Sequence, residues 1–115
     1  MEKDGINYKE LAVYDKERKG IFIHKNQLDD NAFQVGDRFS IKQNTPELFS
    51  IALVKNDKGD IIFDKNGIFI PRNRRVDILL GGIFDEYLIE TNLKKRPKII
   101  LRPLEGNKCV SDLIH

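Results

Sequence analysis

Gly20-Ile21-Phe22-Ile23-His24-Lys25-Asn26 returns further along the chain as Gly67-Ile68-Phe69-Ile70-Pro71-Arg72-Asn73, with five of the seven residues identical. Each copy is a short β-branched and aromatic run, led by glycine and released into polar residues, which is how a strand leaving a tight turn reads. The order of elements around the match repeats as well. Gly36-Asp37-Arg38-Phe39-Ser40-Ile41 corresponds, with inserted residues, to Gly82-Ile83-Phe84-Asp85-Glu86-Tyr87-Leu88-Ile89, and each is followed by a further strand, Leu48 to Val54 or Lys98 to Leu101. The repeated unit is strand, strand, short helix, strand, strand. A unit of about 40 residues buries too little surface to fold alone, so two are expected to complete one core.

Working outward, Leu11 to Tyr14, Phe39 to Ile41, Asp60 to Phe63 and Glu86 to Ile89 bring the number of expected strands to eight. Asn56-Asp57-Lys58-Gly59 and Asn66-Gly67 carry hairpin chemistry, which makes residues 48 to 70 read as a meander. Alternation breaks over Lys25 to Phe33 and over Arg72 to Leu80, where short helices are expected. In the second, Pro71 suits the first helical position, Val76, Leu79 and Leu80 share a face, and Gly81-Gly82 can end the helix. The fold class is therefore mostly β (α+β): a single-chain, pseudo-two-fold β pseudo-barrel with two short helices. The 115 residues suit one domain, duplicated over about 10–55 and 60–103, with a short tail at 104–115.

Hydrophobic residues form 40% of the chain and charged residues 33%, an ordinary globular balance with no apolar run long enough to span a bilayer. Met1-Glu2-Lys3-Asp4-Gly5 leads into no apolar signal region, so a cytoplasmic protein without a membrane partner is expected. The single Cys109, with only His24 and His115 for company, can complete neither an intrachain disulfide nor a four-ligand zinc site. No catalytic constellation stands out. Ser40 and Ser50 lack a glycine elbow, Gly81-Gly82 lacks the spacing and Lys of a phosphate loop, and His24 ends an apolar strand. Asp29-Asp30 and Asp85-Glu86 read as solvated turn or cap residues rather than cation ligands. The expectation is a protein that is not an enzyme and takes no cofactor or metal.

Charge points to a different class of work. The net charge is only +2, but Arg72, Arg74 and Arg75 cluster, and Lys94, Lys95, Arg96, Lys98 and Arg102 form a second run with no acid among them. Arginine can bridge phosphate oxygens or grip a guanine edge, and a helix N-terminus adds backbone donors. Lys25 holds the equivalent place in the first copy, so the two copies could straddle a duplex. The first copy is less basic, with Asp29 and Asp30 nearby, and binding is expected to be asymmetric.

The order of strand, basic or Pro-led helix, Gly-Asp turn and strand resembles the swapped-hairpin AbrB, SpoVT and MraZ DNA-binding family. Asp64-Lys65-Asn66-Gly67-Ile68-Phe69-Ile70-Pro71 is similar to its Asp-x-x-Gly-Arg-x-x-Ile-Pro stretch, and Val35-Gly36-Asp37-Arg38-Phe39-Ser40-Ile41 to its Pro-Gly-Asp-x-x-x-Ile turn and strand. The resemblance covers residues 10 to 103 and implies a barrel made of exchanged hairpins, both halves here carried by one chain. The family's Arg after the strand-leading glycine is missing from both copies, His24 replaces a Pro, and Arg74 falls on a usually apolar position. Arg75 falls where the family has a DNA-facing Arg.

The expected function is therefore a nucleic-acid-binding regulator of prokaryotic or mobile-element type, contacting duplex DNA through Arg72, Arg74, Arg75, Lys25 and the Lys94–Arg102 ribbon. The alternatives are an RNA-binding barrel resembling the PUA fold, suggested by Phe33 to Ile41, and a protein-interaction module using open strand edges or the Val110–Ile114 tail. RNA recognition would favour an exposed Tyr8, Tyr14, Phe69 or Tyr87 beside the basic residues. A homodimer is compatible with each.

Overall fold

The computed structural model describes residues 11–28, 33–45, 48–92 and 97–104. They form eight strands: β1 (Leu11–Asp15), β2 (Gly20–His24), β3 (Arg38–Thr45), β4 (Leu48–Lys55), β5 (Ile61–Asp64), β6 (Gly67–Pro71), β7 (Glu86–Asn92) and β8 (Lys98–Pro103). One α-helix, α1 (Arg74–Leu80), and a 3₁₀ turn at Lys25–Leu28 complete the secondary structure of the described residues. The strands close into a barrel in the order β1-β2-β6-β5-β3-β4-β8-β7, and every neighbouring pair is antiparallel.

Closure follows from the alternation. Ile21 and Ile23, Ile68 and Ile70, Ile51 and Leu53, and Ile99 and Leu101 all point inward and are buried, with Phe39 and Tyr87 among the largest side chains of the core. Each such side chain contributes about 1.5–3 kcal/mol by leaving water. A closed wall also satisfies the backbone donors and acceptors that an open sheet leaves at its edges, so the strand edges expected for a protein-interaction module are mostly paired.

The repeated sequence forms a seam of the wall. In the β2–β6 pair Phe22 stands opposite Phe69, with Gly20 opposite Pro71 and His24 opposite Gly67 at the two ends. Both glycines are forced by proximity. A Cβ on Gly20 would lie 2.4 Å from the Ile70 carbonyl oxygen, and one on Gly67 would lie 2.0 Å from that of Ile23. Outside the seam, the Arg18 guanidinium lies over both rings, 4.8 Å from the Phe22 centroid and 4.6 Å from that of Phe69.

Three sequence expectations are corrected. Residues 48 to 70 are not a meander: β3 lies between β4 and β5, and only β5 and β6 form a hairpin. The connection at Asn56–Gly59 instead crosses β3. The Asn56 N–H donates to the Arg38 carbonyl at 2.9 Å, and Gly59 presses so closely on Phe39 that a Cβ would meet its carbonyl oxygen at 2.1 Å. Turn chemistry at Asn56-Asp57-Lys58-Gly59 specified a tight turn but not that β4 and β5, both antiparallel to β3, would run in the same direction. Nor does Pro71 open the helix. It ends β6, and Asn73 is the N-cap, its side-chain oxygen accepting from the Val76 N–H at 2.9 Å. The expected first helix is, within the described residues, only the 3₁₀ turn, which buries Leu28.

Taking the end at which β2 begins as the lower one, the register places the Asp15–Lys19 turn, Arg72, α1 and Leu48 on the lower rim. His24, the 3₁₀ turn, the Asp64–Gly67 turn and Asp37 fall on the upper rim.

Candidate polyanion-binding rim

Of the expected arginine cluster, Arg72 is engaged within the fold. Its Nε donates to Asp77 Oδ2 at 3.0 Å, the two side chains being 27% and 10% exposed, and its backbone N–H donates to the Lys19 carbonyl at 2.9 Å. Asp77 is buried on α1 and needs that cation beside it. Arg72 therefore serves as a structural counter-ion through its Nε. The sequence could not show this, because the pairing depends on α1 starting after Asn73 and turning Asp77 back toward the strand end.

Arg74 and Arg75 are exposed on the first turn of α1. Arg75 Nη1 donates to the Ile41 carbonyl at 3.0 Å, on the stretch of β3 that extends past its pairing with β5 at Arg38 and Phe39. This bond fixes the side chain's course across the lower rim and leaves the other guanidinium nitrogens as donors. The helix has only seven residues and its cap is already filled by Asn73, so the expected backbone phosphate site at its N-terminus is not what this rim offers. Its cations are side chains.

Topology adds residues that the sequence reading passed over. The bond from Arg72 to Lys19 ties the β1–β2 turn to the start of α1, bringing exposed Lys16 and Lys19 to the same rim. Lys19 adopts a φ of 59°, a left-handed conformation that closes this turn. Acids of the rim are partly neutralised internally: Asp77 by Arg72, and Asp15 by Arg18, whose Nε lies 3.0 Å from Asp15 Oδ2. The Arg18 N–H and then its guanidinium hold the Asp15 carboxyl below the ordinary carboxylate value. Glu17 and Asp85 remain as exposed acids. These lysines were invisible as a cluster because they lie far from Arg74 along the chain.

Beside the cations is exposed apolar surface. Leu48, Phe49 and Ile78 are 63%, 64% and 58% exposed. A register shift in the β3–β4 pair separates Phe49 from the inward phase of Ile51 and Leu53, and its ring lies beyond the lower mouth against Gly81, where a Cβ would be 2.8 Å from it. Arg74, Ile78 and Gly81 recur at helical spacing, so the ring extends the same face of α1.

Of the other expected residues, the described ones lie apart from this cluster. Lys25 is at the upper end, its N–H donating to the Asn66 carbonyl at 3.0 Å, so it and the arginines occupy opposite ends rather than one face. Lys98 is half-buried opposite Val54 at the upper end of β8, and Arg102 pairs with Glu90 at 3.2 Å on the outer wall. Lys94, Lys95 and Arg96 lie outside the described residues, as do Tyr8, Asp29, Asp30, Cys109 and the Val110–Ile114 tail. Of the aromatics whose exposure would favour RNA, Tyr87 is buried, Tyr14 packs against the core and Phe69 lies under Arg18. Among the described residues no helix is long and apolar enough to cross a membrane. No family model matches the chain, and neither a curated protein nor a solved structure matches it.

Proposed function

We propose that this chain is a non-enzymatic, nucleic-acid-binding regulatory protein, built from two swapped-hairpin units and gripping phosphate with its lower rim. The duplication is supported by the strand order, which is unchanged when β1 to β4 are exchanged with β5 to β8. It is supported again by the central pairing of Phe22 with Phe69 and by the matched crowding of Gly20 and Gly67. The resemblance to AbrB-type regulators contributes the regulatory role.

The observation that carries the binding reading is the gathering of Lys16, Lys19, Arg74 and Arg75 on one rim, where Asp77 and Asp15 already have their own arginines. Polyanion binding of this kind releases counterions, so its salt dependence reports how many phosphates are neutralised. The test is a titration of labelled oligonucleotides by fluorescence anisotropy across about 50–200 mM salt. Replacing Lys16, Lys19, Arg74 and Arg75 together by Ala should weaken binding and flatten the log-log slope by roughly 0.7–0.9 for every phosphate no longer neutralised. Lys25→Ala, at the opposite end, should leave the slope unchanged. Equal slopes for the parent and the fourfold variant would remove the rim from the interface.

A further inference from the structure

The phosphates of duplex and single-stranded polymers are alike to the rim's four cations, so charge does not decide which is held. The apolar surface beside them does. Phe49 and Ile78 are among the most exposed large hydrophobic residues described; Ile78 and Gly81, on which the Phe49 ring rests, share a face of α1 with Arg74. Leu48, next to Phe49 in sequence at the start of β4, is exposed as well. An aromatic ring left in water at the edge of a basic rim matches the two parts of an unpaired nucleotide, a flat base and a charged phosphate.

Resting on the nucleic-acid reading above, we propose that Phe49 is a base-stacking platform, and that the rim's ligand is a nucleic acid with unpaired bases. The unpaired base lies on the free face of the Phe49 ring, bordered by Ile78 and Leu48, while Arg74 and Arg75 take the flanking phosphates. The opposite side of the ring is held against Gly81, which has a φ of 79° and no Cβ to push it away. That backing orients the platform before any ligand arrives, which lowers the ordering cost of binding. A second copy of the chain is the poorer occupant. Three side chains expose on the order of a few hundred Å², against about 800 Å² per partner in a stable protein interface, and pairing this patch with itself would bring Arg74 and Arg75 of both copies together. A regular duplex keeps its base faces inside the stack, where the ring cannot reach them.

The chain has no tryptophan, so Phe49→Trp supplies a single fluorescent reporter at the platform itself. Its exposure means that substitution there should leave the barrel intact, to be checked by circular dichroism. Three probes of equal length serve: single-stranded DNA, duplex DNA and a hairpin RNA with an unpaired loop, all at one salt concentration. The expected result is quenching of the introduced indole's emission by the single strand and the hairpin loop but not by the duplex. With it, Phe49→Ala should lose roughly tenfold or more in affinity for the unpaired probes, while Phe49→Trp retains binding. Arg74→Ala with Arg75→Ala should weaken all three probes.

If the parent binds all three equally and Phe49→Ala changes none of them, stacking is wrong and the phosphate-binding rim survives. If it binds none, both readings fall. Concentration-dependent self-association abolished by Phe49→Ala would instead assign the patch to a second copy and overturn the proposal.

Discussion

Replacing Arg72 by Ala separates the structural role found for this residue from the phosphate contact its sequence position suggests. The change leaves the Asp77 carboxylate, 10% exposed, without the guanidinium that lies 3.0 Å away. Stranding one member of a fully buried pair costs about 3–5 kcal/mol. Here Arg72 is 27% exposed, so water can partly replace it, and the expected loss is about 2–3 kcal/mol after discounting for screening. For a domain of this size that lowers Tm by roughly 8–15 °C. Asp77→Ala alone should cost less, since the half-exposed guanidinium can turn to solvent, and Arg72→Ala with Asp77→Ala should recover part of the loss. The cycle should give a coupling of about 1–2 kcal/mol. Urea denaturation followed by circular dichroism measures the four proteins. The salt slope for oligonucleotide binding, taken well below the variant's Tm, should match the parent. An Arg72→Ala protein within about 0.5 kcal/mol of the parent but with a slope reduced by roughly one would refute the structural reading and return Arg72 to the interface.

Gly20→Ala and Gly67→Ala should be comparably and severely destabilising, each by upwards of about 3 kcal/mol, because either Cβ would overlap a carbonyl oxygen of the opposite strand. Gly67 adds the strain of a φ of 136°, and tolerance of one substitution beside collapse with the other, read from melting curves, would undo the matched pair. Asp15 titrates below an ordinary aspartate, so its pairing with Arg18 stabilises the fold above the unfolded-state value and is lost as pH falls through the folded one. A carboxyl NMR titration of Asp15 should show the depressed midpoint, and Arg18→Ala should move it upward; an unmoved midpoint would discount the pair.

All eight strands were legible in the sequence because each carries its own alternation between turn residues, and Gly20–His24 and Gly67–Pro71 were legible as copies. Their partners were not. Nothing in Asn56-Asp57-Lys58-Gly59 states that the chain will step over β3, since that depends on Gly59 finding room against Phe39, a contact between segments far apart in sequence. The candidate site divided in the same way. Arg74 and Arg75 stood out by local composition, whereas the pairing of Arg72 with Asp77 was hidden because Asp77 becomes a partner only once the helix forms. Lys16 and Lys19 were missed because a barrel, not a motif, sets them beside α1. Phe49 was legible only as part of the Leu48–Val54 strand, and its exposure at the barrel mouth emerges from the fold.

The order of strands around the wall also governs how the protein can be made. Hairpin β1–β2 is followed around the barrel by β6–β5, then β3–β4, then β8–β7, so hairpins from the two halves of the chain alternate and each is flanked on both sides by the other half. A nascent chain that has produced only β1 to β4 holds two separate hairpins with four unmet edges and no enclosed core, and isolated two-stranded hairpins are marginal in water. The wall closes only when β8 pairs with both β4 and β7, which requires Lys98–Pro103 to have left the ribosome. Folding is consequently all-or-none for this barrel, and until that last ribbon emerges its apolar strands depend on chaperones, or on speed, to stay out of aggregates.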